Sequence, residues 1–104
     1  RMADASANPY TAVAAVLQAA RLGVVKGYDL PPIETGDGFD HTDAKHGTAM
    51  DLKQAVADLE RDTDLTNAVG AGLVANHVFM KQKEVRKTKD LEGDALRDFY
   101  VHFV

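Results

Sequence analysis

Arg1, Asp4 and the run Asn8-Pro9-Tyr10 stand close together, directly ahead of an alanine-rich stretch. An arginine can hold a carboxylate or a phosphate through two charge-assisted hydrogen bonds, because its guanidinium is a planar fork. Asp4 reads as a local hydrogen-bonding acid that helps hold the turn before a helix. Two other stretches carry reactive side chains. "HTDAKH" offers His41, Asp43 and His46, all capable metal ligands. The segment is a polar loop without a further ligand set, and His77 and His102 fall on separate predicted helices, so a solvated loop is expected. "KQKEVRKTK" gathers Lys81, Lys83, Arg86, Lys87 and Lys89. Glu84 interrupts that run and no aromatic side chain interleaves it, so it reads as a solvated helix face rather than a nucleic-acid surface. No Gly-rich phosphate loop, nucleophile elbow or zinc motif occurs.

The elements that must position these residues are helical. Asn8 is a suitable N-cap, and Pro9 suits the first helical position. Tyr10, Val13 and Leu17 then follow at helical spacing to a stop at Gly23, giving a helix over 9–23. So many alanines suggest a helix that neighbours approach closely on more than one side. Residues 26–47 have no sustained period and hold glycines, prolines and aspartates, which predicts a long loop. Such a loop is usually functional or draped over a neighbour. Thr48 can cap a second helix, with Asp51 completing a weak capping box. Leu52, Ala55, Val56 and Leu59 form its apolar stripe. A pattern that restarts at Asp64 or Thr66 and runs to Val85 predicts one long helix, loosened near Gly70 and Gly72. Close packing would explain those glycines, since each costs about 1 kcal/mol in a helix. "DALRDFYVHFV" sets Leu96, Phe99, Tyr100 and Phe103 on one helical face; a terminal strand is the weaker alternative. The fold class expected is all-α, with about four helices and one long loop.

Composition is ordinary for a soluble domain, at 45% hydrophobic and 27% charged residues. A net charge of −4 argues against nucleic acid as the main partner. With no cysteine there is no disulfide or thiolate metal site, and a cytoplasmic setting is natural. No apolar run approaches the roughly 20 residues that span a bilayer, so no membrane partner is expected. The N-terminus lacks the basic start and leucine-rich stretch of a secretory signal. Met2 reads as an initiator preceded by one extra residue or, alternatively, Arg1 as an internal residue of a longer chain.

The pattern R-x-x-D-x-x-x-NPY-x-x-x-AA-x-L-x-A, from Arg1 to Ala19, resembles the start of the C-terminal helical region of glutamine synthetases. There an Arg-x-Pro-Asp-x-x-x-Asn-Pro-Tyr segment leaves the catalytic barrel and enters a helix. Val24 and Val25 lie near the family's Gly-Ile. The second half is similar to the family's Leu-x-x-Ala-Leu-x-x-Leu-x-x-Asp, Leu-Gly-x-x-Leu-Val and Lys-x-x-Glu segments. Leu52, Ala55, Val56, Leu59, Asp62, Leu65, Val69, Gly70, Leu73, Val74, Lys81 and Glu84 carry that likeness.

The resemblance implies that 1–104 is a C-terminal helical fragment of a catalytic domain. In it 1–8 would be the barrel-exit segment, 9–23 a helix, 26–47 the loop and 48–104 helices. The complete enzyme would use ATP and Mg²⁺ or Mn²⁺ to phosphorylate the γ-carboxylate of glutamate, and ammonia or another amine would then displace phosphate. Arg1 is the one residue that the resemblance places at the substrate site, as a contact to glutamate. No catalytic, cofactor-binding or metal-binding residue is assigned to this piece, which alone should bind no ATP or metal and be inactive. Its partners would be the catalytic barrel and identical subunits in a ring.

Departures from the family pattern favour a divergent member. Ala3 stands where proline is common, and "GDALRDFYVHFV" replaces a tryptophan-glutamate pair. Enzymes controlled by adenylylation carry a tyrosine in the long loop. The best placement here is Phe39, which has no hydroxyl, so that control is not expected; Tyr28 comes too soon after the first helix. The competing reading is a small, self-contained helical interaction module that docks partners through Phe99, Tyr100 and Phe103.

Overall fold

A computed structural model of the chain describes residues 7–30, 32–33, 35–36 and 48–101. Among these residues the fold is all-α. Five helices follow in order: α1 (Pro9–Lys26), α2 (Leu52–Arg61), α3 (Thr63–Val69), α4 (Ala71–Thr88) and α5 (Gly93–Val101).

Local chemistry sets each boundary. Asn8 caps α1, its side-chain oxygen accepting from the Tyr10 and Thr11 amides at 3.0 and 3.4 Å. Pro9 follows at the first helical position. The helix does not stop at Gly23. It runs on to Lys26 and closes on Gly27 at φ 64°, the left-handed conformation that glycine adopts without steric cost. Asp51, rather than Thr48, caps α2 by accepting from the Gln54 amide at 2.7 Å. The Gln54 side chain in turn accepts from the Met50 amide at 3.1 Å, closing a reciprocal arrangement much like a capping box. Asp62 ends α2 and caps α3, accepting from the Leu65 amide at 2.9 Å.

The helix expected from about residue 64 to 85 is two helices. Gly70 sits between them at φ 121°, ψ 110°, a conformation that L side chains rarely adopt. Close packing is not the reason for either glycine there, because a Cβ built on Gly70 or Gly72 meets nothing within 4 Å. Residues 93–101 are helical, so the strand alternative does not hold over them. Phe103 and His102 lie outside the described residues, as do 37–47 of the predicted loop.

The buried core joins α2 and α4. Val56, Val74 and Val78 are its buried members, with Leu52, Leu59 and Val69 packed against them. α3 lies against α2 and α4, and α1 packs on α3. No residue of α1 is buried. So small a core has little redundancy. Val74→Ala removes two carbons from its middle, and a loss of about 2 kcal/mol is expected. Urea unfolding of the chain checks this. A change under about 0.5 kcal/mol, the size usual for a surface site, would show that Val74 is not at the centre of the core.

Candidate functional site

Arg1 and Asp4, the first candidates from the sequence, lie outside the described residues, as do Phe39, His41, Asp43 and His46. The described end nearest to them is the cap of α1. Thr11 reinforces it by donating its hydroxyl to the Asn8 carbonyl at 3.0 Å. Capping accounts for Asn8 and Pro9 without a catalytic role.

That cap opens onto a groove of about 630 Å³. Ala12 and Ala15 of α1 form one wall, and Leu59, Leu65 and Val74 form much of the opposite side. His77 and Lys81 of α4 also line it. The alanines of α1 leave this space open because they carry so little side chain. Among the described residues no group of three His, Asp or Glu side chains stands close enough to hold a metal ion. No described helix is long and apolar enough to cross a membrane.

Two polar clusters fix the helices around the groove. At the far end of α1, the Lys26 ammonium pairs with Asp64 Oδ2, and the Tyr28 hydroxyl donates to the same oxygen at 3.2 Å. The hydrogen bond to Asp64 raises the Lys26 pKa, and the bond from Lys26 lowers that of Asp64. Asp64 lies in the first turn of α3, where the helix dipole also favours a negative charge.

The second cluster ties α5 to α4. Glu84 accepts from Lys81 Nζ at 2.8 Å through Oε2 and from the Tyr100 hydroxyl at 2.8 Å through Oε1. Burial works against the Glu84 charge. The bonds from Lys81 and Tyr100, with the positive fields of Lys81 and His77, outweigh it and leave the carboxyl below its ordinary range. Burial and then the bond to Glu84 push the Tyr100 phenol up.

The rest of the basic run is solvated. Lys83, Arg86, Lys87 and Lys89 are exposed; the Lys83 ammonium lies 4.3 Å from the centre of the Phe79 ring and Lys89 pairs with Asp90. Tyr10 is exposed and takes no part in this chain's core. Its ring is left to solvent on the outer side of α1, which leaves a contact with another body as the role for it.

A family model described as "Glutamine synthetase, catalytic domain" matches residues 1–100. The chain belongs to the glutamine synthetase family. No curated protein and no solved structure matches it. Within this family member, the Lys-x-x-Glu segment is a structural pair: Lys81 and Glu84 meet one helical turn apart, and Glu84 anchors α5 as well. The link from Tyr100 and the Lys26–Asp64–Tyr28 cluster join residues distant in sequence, and no local spacing announces either.

The Glu84–Tyr100 bond has a defined pH window. A depressed carboxyl contributes stability above its unfolded pKa, and that contribution is lost as pH falls through the folded one. The raised phenol contributes below its ordinary range and loses that contribution at higher pH. Tyr100→Phe is expected to cost about 1 kcal/mol at neutral pH and clearly less at a pH acid enough to protonate Glu84, which lies below the ordinary carboxyl range. Urea unfolding of both proteins at the two pH values checks it. An equal difference at both would show that the charged carboxylate is not the partner that matters.

Proposed function

We propose that this chain is the C-terminal helical part of a carboxylate-amine ligase that joins the γ-carboxylate of glutamate to ammonia or another amine at the expense of ATP. The observation that carries the reading is the two-sidedness of α1. Among its half-buried residues, Thr11, Ala15, Gln18 and Leu22 recur at i, i+4, i+7 and i+11. The opposite side presents Tyr10 at 85% exposure, Val13 at 57%, Leu17 at 64% and Val24 at 85%. A helix that is apolar around its circumference belongs inside a larger body. The remainder of a catalytic domain is the body that family membership supplies.

On this reading α1 is sandwiched between the α2–α4 unit and the catalytic barrel. The chain leads through Asn8 and Pro9 back toward the substrate site, where Arg1 holds a carboxylate of glutamate through its two-pronged guanidinium. ATP and its divalent metal ions are assigned to upstream residues of the complete enzyme. What this chain contributes is substrate orientation at one residue, a backing wall for the barrel, and a surface toward identical subunits in a ring. The rival reading, a freestanding docking module, relied on the C-terminal aromatic face. Among the described residues that face is partly occupied, because Phe99 is half-buried and Tyr100 is bonded to α4.

Steady-state kinetics of the complete enzyme test the proposal, with release of phosphate from ATP as the readout. Arg1→Ala should lower kcat/KM for glutamate about 100-fold, near 3 kcal/mol for a lost charge-assisted contact, while nucleotide affinity holds. Lys87→Ala should leave both parameters within about twofold. The 104-residue chain alone should release no phosphate. Equal losses in the two variants would count against the assignment of Arg1.

A further inference from the structure

Among the described residues α3 lies against both α2 and α4, with its Val69 packed on the valine core. α2 and α4 share the valine core, and α1 packs on α3, tied to it by the Lys26–Asp64 pair and the Tyr28 hydroxyl. α3 is a seven-residue stub between two breaks, at Asp62 and Gly70. The two breaks differ in kind. Asp62, at φ −80° and ψ 81°, has a backbone open to L-residues and is held by its own cap. Gly70 is at φ 121°, where an L side chain is strained. Its amide still donates to the Thr66 carbonyl at 3.1 Å, and its carbonyl accepts from the Val74 amide at 3.0 Å. Gly70 therefore serves both helices while turning the chain between them. Since nothing lies within 4 Å of the site of a Cβ, backbone conformation is the structural reason for glycine here.

We propose that Gly70 is a positioning residue: its bend sets the angle at which α3 presents α1, and with it the outer apolar face of α1, to the rest of the catalytic domain. The angular claim stands on the structure, while its consequence for glutamate use rests on the function proposed above. Any side chain at this position favours a negative φ, and the flanking helical pattern then favours continuing α3 straight into α4. α1 would swing with α3. Gly72, two residues on, is the matched control, because it lies inside α4 and its Cβ site is also open.

The test pairs a distance with a kinetic split in the complete enzyme. Spin labels replace Ala19 on α1 and Lys87 on α4, both exposed, with any cysteines elsewhere in the enzyme removed. Gly70→Ala should shift the label separation by several ångströms and raise KM for glutamate about tenfold with nucleotide affinity unchanged. Gly70→Asn should shift both as well, because the positive φ that asparagine tolerates lies at about 60°, far from the 121° of Gly70. Gly72→Ala should move neither. An unchanged separation in both Gly70 variants overturns the inference. So does loss of helical content in both while Gly72→Ala stays folded, which would make Gly70 a folding requirement rather than an angular one. A shifted separation with an unchanged KM would uphold the joint and count against the proposed role of α1 in substrate binding.

Discussion

An eighteen-residue helix with apolar side chains on opposite faces needs cover on both, and the described residues of this chain supply cover on one. That constraint governs the rest of the architecture. α1 lays its alanine-rich side toward α3 and the groove, where small side chains leave space unfilled. Tyr10, Val13, Leu17 and Val24 are left facing outward along its other side. Burial of apolar surface is the main favourable term in folding. Among the described residues, a core of three buried valines is correspondingly slight support for five helices.

The polar links act at the joints rather than within the core. Lys26 and Tyr28 meet Asp64 where α1 passes α3, the Thr66 hydroxyl reaches the Leu59 carbonyl across the α2–α3 break, and Gln82 of α4 reaches Glu60 of α2. Exposed ion pairs contribute little stability individually, and their use here is orientational. They hold short helices at set angles while packing provides modest force. Glu84 is the exception in degree, since partial burial strengthens its two bonds and makes α5 an attached element.

Helix existence was legible in the residues because apolar periodicity and capping chemistry agree. Asn8-Pro9 announced α1, and the Leu52–Leu59 stripe announced α2. Boundaries were less legible. Gly23 resembles a stop, yet Val24 and Val25 continue the helix and Gly27 adopts the positive φ that ends it. Gly70 was visible as a weak point but not as a break, because periodicity continues across it and a torsion angle leaves no trace in spacing. The alanines of α1 suggested neighbours on more than one side, but not which body would supply them. Alanine and valine at helical positions look the same whether the second face meets this chain or another body. The family was legible through the order of its segments, while Arg1, the substrate contact proposed on that basis, lies outside the described residues.

Solvent access to the outer face of α1 tests the central claim most directly. The chain has no cysteine, so Val13→Cys and Val24→Cys place single thiols on that face, each compared between the 104-residue chain and the complete enzyme freed of other reactive cysteines. Maleimide should label both positions rapidly in the short chain and slowly, by about 100-fold or more, in the folded complete enzyme, following the population of the open form. Equal labelling rates in the two proteins would contradict the account, because α1 would then have no second covering body.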